Sequence, residues 1–423
     1  MKGFSAGMLI TAGYTLLGFV TSILLTRMLG PQNYGIYVFT LSCVALLTVP
    51  TQFGMPLLMT RELAVSLASG AWSTMRGAQL WSLRWMGVLC LAMMALAYGM
   101  LSIYRAELGE TKYQALVWGL GLIPLLSFSA LHNGMLRGLG HVTWSMVSER
   151  LLRPAFLCVL VLLSGFFSVW GSNPAQVVLL YLVSAAASLT VCTMLLSRRF
   201  PAEAREALPS YKAREWLRGL LPLGLASFVT VLNAQLSVFV LGILAADSDV
   251  GMYRIAALMA GLVAMVLTVM NSVTAPRYAA LHAEKRVDEL RTLVHRTVVL
   301  TSLVAIPGAL VLILGGDWLL RSVYGEAFSV AYVPLVILTV AQLANTILGP
   351  VGLLLNMAGF ERDVFRVLLI ALVVSLVLHI LLVPTLGATG AALATALMLL
   401  LWNGVLYRRV RQRLGISCLP LPG

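Results

Sequence analysis

Ten runs of twenty or more residues carry no Asp, Glu, Lys or Arg, and they constrain what this chain can fold into. They cover residues 3–26, 28–60, 85–104, 113–136, 154–197, 219–246, 255–276, 297–316, 327–360 and 367–407. A helix needs about 20 apolar residues to cross the hydrocarbon core of a bilayer, so eight runs fit one membrane helix each. The runs 154–197 and 367–407 are long enough for two. Each is interrupted where Gly and Pro gather, at Gly171-Ser172-Asn173-Pro174 and at Pro384-Thr385-Leu386-Gly387. The expectation is an all-α integral membrane protein with twelve transmembrane helices. A soluble domain is excluded by a chain that is 60% hydrophobic and only 11% charged.

The order of the runs divides the chain. Each half has four single runs followed by one double run, which predicts two six-helix lobes. Six is even, so the lobes share an orientation and are related by pseudo-two-fold symmetry along the membrane normal, with a central cleft between them. The expected boundaries are 1–198 for the N-terminal lobe, 199–218 for a cytoplasmic linker, 219–410 for the C-terminal lobe and 411–423 for a cytoplasmic tail. The linker region is polar, with two prolines and six basic residues between 198 and 218. A local repeat supports the duplication. Gly35-Ile36-Tyr37 is echoed by Gly251-Met252-Tyr253, and Arg61 by Arg277, both at an offset of 216 residues.

Basic residues give the orientation. With both termini in the cytoplasm, the outer segments hold Arg27, Arg105, Lys112, Arg254 and Arg321, and the inner segments hold the other 24 of the 29 Lys and Arg. The net charge of +13 therefore reads as basic inner loops at a membrane surface, not as a nucleic-acid interface. Residues 281–296 space Leu and Val helically among charges, which predicts an amphipathic helix lying on the inner surface, and 63–78 is a weaker counterpart. The apolar N-terminal stretch is too long for a signal peptide and reads as a retained first helix.

Catalytic signatures are absent. There is no GxxxxGK[ST], no HExxH, no GxSxG and no cluster of His with carboxylates, and no acid lies deep in an apolar run. The outer segments are short turns that cannot position a donor and an acceptor. The chain reads as a carrier and not an enzyme, with no cofactor and an unidentified coupling ion. Of the five cysteines, Cys43, Cys90, Cys158 and Cys192 sit inside apolar runs, Cys418 lies in the tail, and none forms a CxxC pair. They read as buried hydrophobic residues.

The stretch RMLGPQNYGIY (27–37), the apolar helix that follows it and FGMPLLMTRELA (53–64) resemble the opening of Wzx-type polysaccharide and O-antigen flippases. These belong to the multidrug/oligosaccharidyl-lipid/polysaccharide exporter superfamily, and the resemblance extends over essentially the whole chain. It implies a carrier in the bacterial inner membrane for an undecaprenyl-diphosphate-linked oligosaccharide, feeding O-antigen, capsule or exopolysaccharide assembly. Implied partners are that substrate, membrane lipid, a polysaccharide polymerase and glycosyltransferases. Many relatives carry an acid in helix 7, where this chain has Ser237 after Gln235-Leu236. That departure weighs against the runner-up reading, a cation-coupled multidrug antiporter.

Two sets of residues are candidates for binding. Arg61 and Arg277 are expected at the inner ends of helices 2 and 8, and Arg27 and Arg254 near the outer side. Each admits a topological reading, a basic side chain snorkelling to lipid phosphate, and a binding reading, a planar guanidinium clamping a diphosphate. Among uncharged polar residues in the runs, Gln52, Asn233, Gln235 and Asn271 are candidates for sugar hydroxyls, against the alternative of interhelical hydrogen bonds. Asn233 and Gln235 follow Pro222 and Gly224, where helix 7 has reason to break. His379 is expected to be a packing or hydrogen-bonding histidine.

Overall fold

The charge-free runs fold as helices, and glycine and proline decide where those helices bend. The computed structural model describes residues 2–166 and 173–416, with the backbone alone at 2–9 and 165–166. All regular structure among the described residues is helical. Nine of the helical stretches are long and apolar enough to cross a membrane: Ile10–Gln52, Trp72–Ile103, Glu110–Gly138, Pro174–Arg199, Ala213–Leu244, Asp247–Ala283, Val287–Tyr324, Glu326–Met357 and Glu361–Leu414. Two of these are too long for one crossing. At about 1.5 Å per residue, the 43 residues of Ile10–Gln52 and the 54 of Glu361–Leu414 each run to at least twice the roughly 30 Å of hydrocarbon.

Both long stretches contain a non-helical glycine. Gly30 stands at φ 69° and ψ 177°, and Gly387 at φ 51° and ψ −128°. Gly30 stands directly before Pro31, and Gly387 closes the break expected from Pro384 to Gly387. The break after Arg27 is confined to the single Gly30, because Pro31 fits the first turn of a new helix without losing a hydrogen bond. At Gly387 a second constraint operates: a Cβ there would lie 2.6 Å from an Asp249 oxygen. The Asp249 carboxylate accepts the Ala388 N–H at 3.1 Å and caps the helix that restarts there. Of the break expected at 171–174, Gly171 and Ser172 lie outside the described residues. Asn173 caps the following helix, its Oδ1 accepting the Ala175 N–H at 2.9 Å.

Several expected boundaries need correction. The run 28–60 is not one helix: it breaks at Phe53 and Gly54, whose φ values are 35° and 76°, and restarts as Met55–Ser69. Pro56 sits in the first turn of the restarted helix, where its missing N–H costs no hydrogen bond. Arg61 does not end that helix, which continues past Glu62 to Ser69 and stops at the left-handed Gly70. Arg277 likewise lies inside Asp247–Ala283. The amphipathic surface helix expected over 281–296 is a corner between two long helices, Asp247–Ala283 and Val287–Leu319. Lys285 turns it at φ 56°. Charged residues at a membrane edge mark where a helix leaves hydrocarbon, and the helix itself continues into the aqueous layer.

The chain forms two compact units, Met1–Gln235 and Leu236–Gly423. The helix Ala213–Leu244 contributes its first two-thirds to one unit and the remainder to the other. Between Pro174–Arg199 and Ala213–Leu244 runs a short helix, Ala202–Glu206, and an extended stretch. That stretch is pinned where Ser210 N donates to Ser73 O at 2.9 Å. In the first unit Met55–Ser69 lies directly on Leu122–Gly138. Gly134 closes on Pro56 O, and a Cβ at Gly138 would stand 2.8 Å from Thr60 O. Thr60 Oγ1 also donates to Gly134 O at 2.9 Å. Small residues four apart allow this backbone approach between helices.

Candidate functional site

The close packing of Met55–Ser69 fixes where Arg61 stands. Leu58, Met59 and Leu63 on that helix are fully buried, so position 61 faces outward. Its side chain is 59% exposed. The guanidinium donates to Glu62 Oε1 through Nη2 at 2.9 Å and through Nε at 3.2 Å. The other oxygen of Glu62 accepts the indole N–H of Trp216 at 3.3 Å. Trp216 is itself buried at 1% exposure, with its ring 5.2 Å from that of Trp81. Glu62 thus has one oxygen on an exposed cation and the other on a buried aromatic at the start of Ala213–Leu244. An anionic ligand at Arg61 competes with Glu62 for the guanidinium.

In the second unit Arg277 is placed by its neighbour. Tyr278 is 1% exposed and donates through its hydroxyl to Thr297 Oγ1 at 3.0 Å. It belongs to a core with Leu290, Val294 and Leu355. With Tyr278 inward, Arg277 turns outward and lines an open cleft of about 440 Å³ together with Arg286, Arg296, Glu284 and Glu289. Arg286 forms a two-pronged pair with Glu289, both contacts 2.7 Å, and donates to Glu284 at 2.8 Å. The carboxylates of Glu284 and then Glu289, accepting its N–H groups, hold the Arg286 guanidinium above its ordinary pKa, so it stays charged throughout the physiological range.

The other predicted residues are dispersed. Arg27 is exposed just before Gly30, and Arg254 is exposed near the start of Asp247–Ala283. Gln52 is the half-buried last residue before the Phe53–Gly54 break. Asn233 and Gln235 lie in Ala213–Leu244 without a break: the helix continues through Pro222. Asn233 Nδ2 donates to Val229 O at 3.2 Å, while its Oδ1 is buried with no hydrogen-bond partner, as is Oδ1 of Asn271. A buried carbonyl oxygen without a donor is uncommon in folded proteins and marks a place where a hydroxyl could be received. The Gln235 backbone carbonyl accepts from Ser42 Oγ at 3.4 Å.

One constellation was not foreseen. His379 is fully buried. Its Nδ1 lies 2.7 Å from Ser375 O, a carbonyl that can only accept, so Nδ1 carries the proton. Nε2 then accepts from Ser237 Oγ at 2.9 Å. Ser237 Oγ is 3.0 Å from Thr395 Oγ1, which is 2.9 Å from Tyr253 OH. Ser237, the residue that departs from the relatives' acid, is thus the hub of a neutral hydrogen-bond chain. The hydrogen-bonding role expected for His379 is the one it has. Its Nε2 partner, Ser237, is 142 residues away along the chain and no local pattern announces it. Trp216 was missed for the same reason.

With this geometry in place, similarity to known proteins can be assessed. The family described as polysaccharide biosynthesis protein matches residues 1–282, and the MatE family matches residues 222–385. Among curated proteins, the chain is 30% identical over 170 residues to a probable flippase, AglR, of Haloferax volcanii, covering 39% of this chain and 35% of that protein. It is 25% identical over 165 residues to a probable low-salt glycan biosynthesis flippase, Agl15, of the same organism, covering 38% and 34%. The chain therefore spans about a third of the length of the curated relatives it matches. A multidrug resistance MATE family transporter in an inward-facing conformation superposes with a TM-score of 0.76 at 16% identity, covering 95% of this chain and 94% of that one. The lipid II flippase MurJ in an inward closed conformation superposes with a TM-score of 0.71 at 14% identity, covering 97% and 88%. At these identities the likeness is one of fold. With more than half of its length matched by one family, the chain is a multi-pass member of the polysaccharide biosynthesis protein family.

Proposed function

We propose that this protein is a flippase that moves an undecaprenyl-diphosphate-linked oligosaccharide from the inner to the outer leaflet of the bacterial inner membrane, for O-antigen, capsule or exopolysaccharide assembly. The observation that carries the reading is the family match over residues 1–282, and the flippases among the relatives support it. The protein works by alternating access, as two six-helix lobes rocking about a central cleft, with both termini in the cytoplasm. Arg61 and Arg277 receive the diphosphate at the inner side, and Arg27 and Arg254 meet it at the outer side. Gln52, Asn233, Gln235 and Asn271 take sugar hydroxyls, while the prenyl tail stays in lipid. The protein performs no covalent chemistry. Glycosyltransferases supply its substrate and a polymerase consumes the product.

A second reading, a cation-coupled multidrug antiporter, is favoured by the MatE match over residues 222–385 and by the fold likeness to a MATE transporter. Against it stands Ser237, which brings a neutral hydroxyl to the place where the resemblance puts an acid.

A deletion strain separates the two. The flippase reading expects lipid-linked oligosaccharide to accumulate on the inner leaflet and surface polysaccharide to disappear, both reversed by the intact gene. Unchanged lipid-linked sugar combined with new sensitivity to cationic drugs would establish the antiporter instead. Reporter fusions after Lys112 and Ser248 are expected outside, and at Tyr211 and Glu284 inside. A reversal at any of these sites would break the twelve-span topology there.

A further inference from the structure

The cleft at the corner between Asp247–Ala283 and Val287–Leu319 sorts its charges by depth. Arg286 is fully engaged by Glu284 and Glu289 at the turn itself. Arg277 and Arg296 line the same cleft, and among the described residues neither makes an ion pair. Arg277 lies six residues before the end of its helix and Arg296 nine residues after the start of the next. At about 1.5 Å per residue, both guanidinium stems start roughly 9–14 Å from the corner, towards the apolar bodies of the two membrane helices. Leu281 and Leu293 supply an apolar wall between them and the corner. The acids are thus placed away from the membrane and the uncompensated cations nearer to it.

We infer that this cleft is a binding site for the phosphate of an anionic glycerophospholipid of the surrounding leaflet, held between Arg277 and Arg296 with its glycerol carbons against Leu281 and Leu293. A freely diffusing anion meets the outer rim first, where Glu284 and Glu289 repel it. A lipid phosphate arrives laterally, at the depth of the two free arginines, and its acyl chains need not leave the bilayer. Two forked guanidinium groups hold one phosphate through charge-assisted hydrogen bonds. Each basic residue near a membrane surface strengthens binding of an acidic lipid by about 1 kcal/mol, which is about fivefold. The inference shares Arg277 with the proposed substrate route, yet its test reads lipid occupancy and not export, so either can fail alone.

The experiment uses the full-length protein, purified and stripped of lipid, titrated with phosphatidylglycerol or phosphatidylcholine and followed by native mass spectrometry. Phosphatidylglycerol is expected to bind more tightly than phosphatidylcholine. Arg296→Ala should weaken its first binding step about fivefold, and Arg277→Ala with Arg296→Ala about twentyfold. Arg291→Ala serves as the comparison and should weaken it less than twofold, because Arg291 does not line the cleft and donates instead to Gly415 O at 3.2 Å. Circular dichroism and a cooperative melt confirm that each variant is folded. Equal affinity for the two lipids, or wild-type affinity in the double variant, would overturn the site. Displacement of the lipid by millimolar inorganic phosphate would overturn the assignment to a lipid and identify a soluble-anion site.

Discussion

The two repeat-related helices that carry Arg61 and Arg277 differ in backbone although their sequences run in register. In the second unit the helix is continuous from Asp247 to Ala283. In the first, the matching path is cut at Phe53 and Gly54, between Lys2–Gln52 and Met55–Ser69. An offset of 216 residues places Val269 and Met270 where Phe53 and Gly54 stand, and Ser272 where Pro56 stands. The first unit also fills the break from outside. A Cβ at Gly54 would lie 2.7 Å from Gly224 N, and one at Gly224 would lie 2.8 Å from the Phe53 ring. The residue after each arginine diverges too, Glu62 in one and Tyr278 in the other. One arginine therefore has a carboxylate at 2.9 Å, and the other is held beside a buried phenol. The two stretches thus keep the arginine in register, while tertiary packing decides how each one bends and what each arginine meets.

The largest test of this contrast is Gly54→Leu. The substitution forces a side chain into a left-handed backbone and against Gly224, so a loss of about 2 kcal/mol or more is expected. It should read as a clear drop in the melting temperature of the purified protein and in surface polysaccharide. Met270→Leu at the matching position should change neither by a comparable amount. If the two variants melt alike, the break is not a structural requirement of the first unit.

Next in size is the ranking of the arginines in export. Removing one partner of a charge-assisted hydrogen bond is typically worth about 1.5–3 kcal/mol. Arg277→Ala should therefore reduce polymer export roughly tenfold at matched protein abundance. Arg61→Ala should reduce it less, because Glu62 already occupies that guanidinium. Lys at either site should rescue only partly, since an ammonium lacks the planar fork. Full rescue by Lys would make both residues topological anchors, and a larger effect at Arg61 would reverse the order argued from Glu62.

The smallest effect is expected at Glu62. Gln retains a carbonyl oxygen for the Trp216 indole and gives up only an ion pair whose arginine is largely exposed, worth less than about 1 kcal/mol. Export in Glu62→Gln should stay near normal, whereas Glu62→Ala removes the acceptor of a buried N–H and should lower the melting temperature. Equal behaviour of the two variants would mean that Trp216 does not depend on this carboxylate.

How much of this was legible in the sequence follows from the range of each interaction. The break at Gly387 was readable because Pro384 stands three residues before it in an otherwise apolar run. The break at Phe53–Gly54 was hidden because a parse by charge sees nothing inside an uncharged run, and its other half, Gly224, lies far along the chain. Arg61-Glu62 and 281–296 were misread as a helix end and a surface helix because charge reports the edge of hydrocarbon and not the end of hydrogen bonding. The arginines were readable only as charges flanking apolar runs. The partners that decide their chemistry, Trp216 behind Glu62 and Arg296 across from Arg277, belong to other helices.

The seating of Gly134 and Gly138 against Pro56 and Thr60 has a mechanical consequence. Where two backbones touch with no side chains between them, there is no lubricating layer for one helix to slide along the other. A shift of one residue would drive Met135 or Leu139 into a space that holds only hydrogen. A stroke that moved Arg61 would therefore carry Leu122–Gly138 with it.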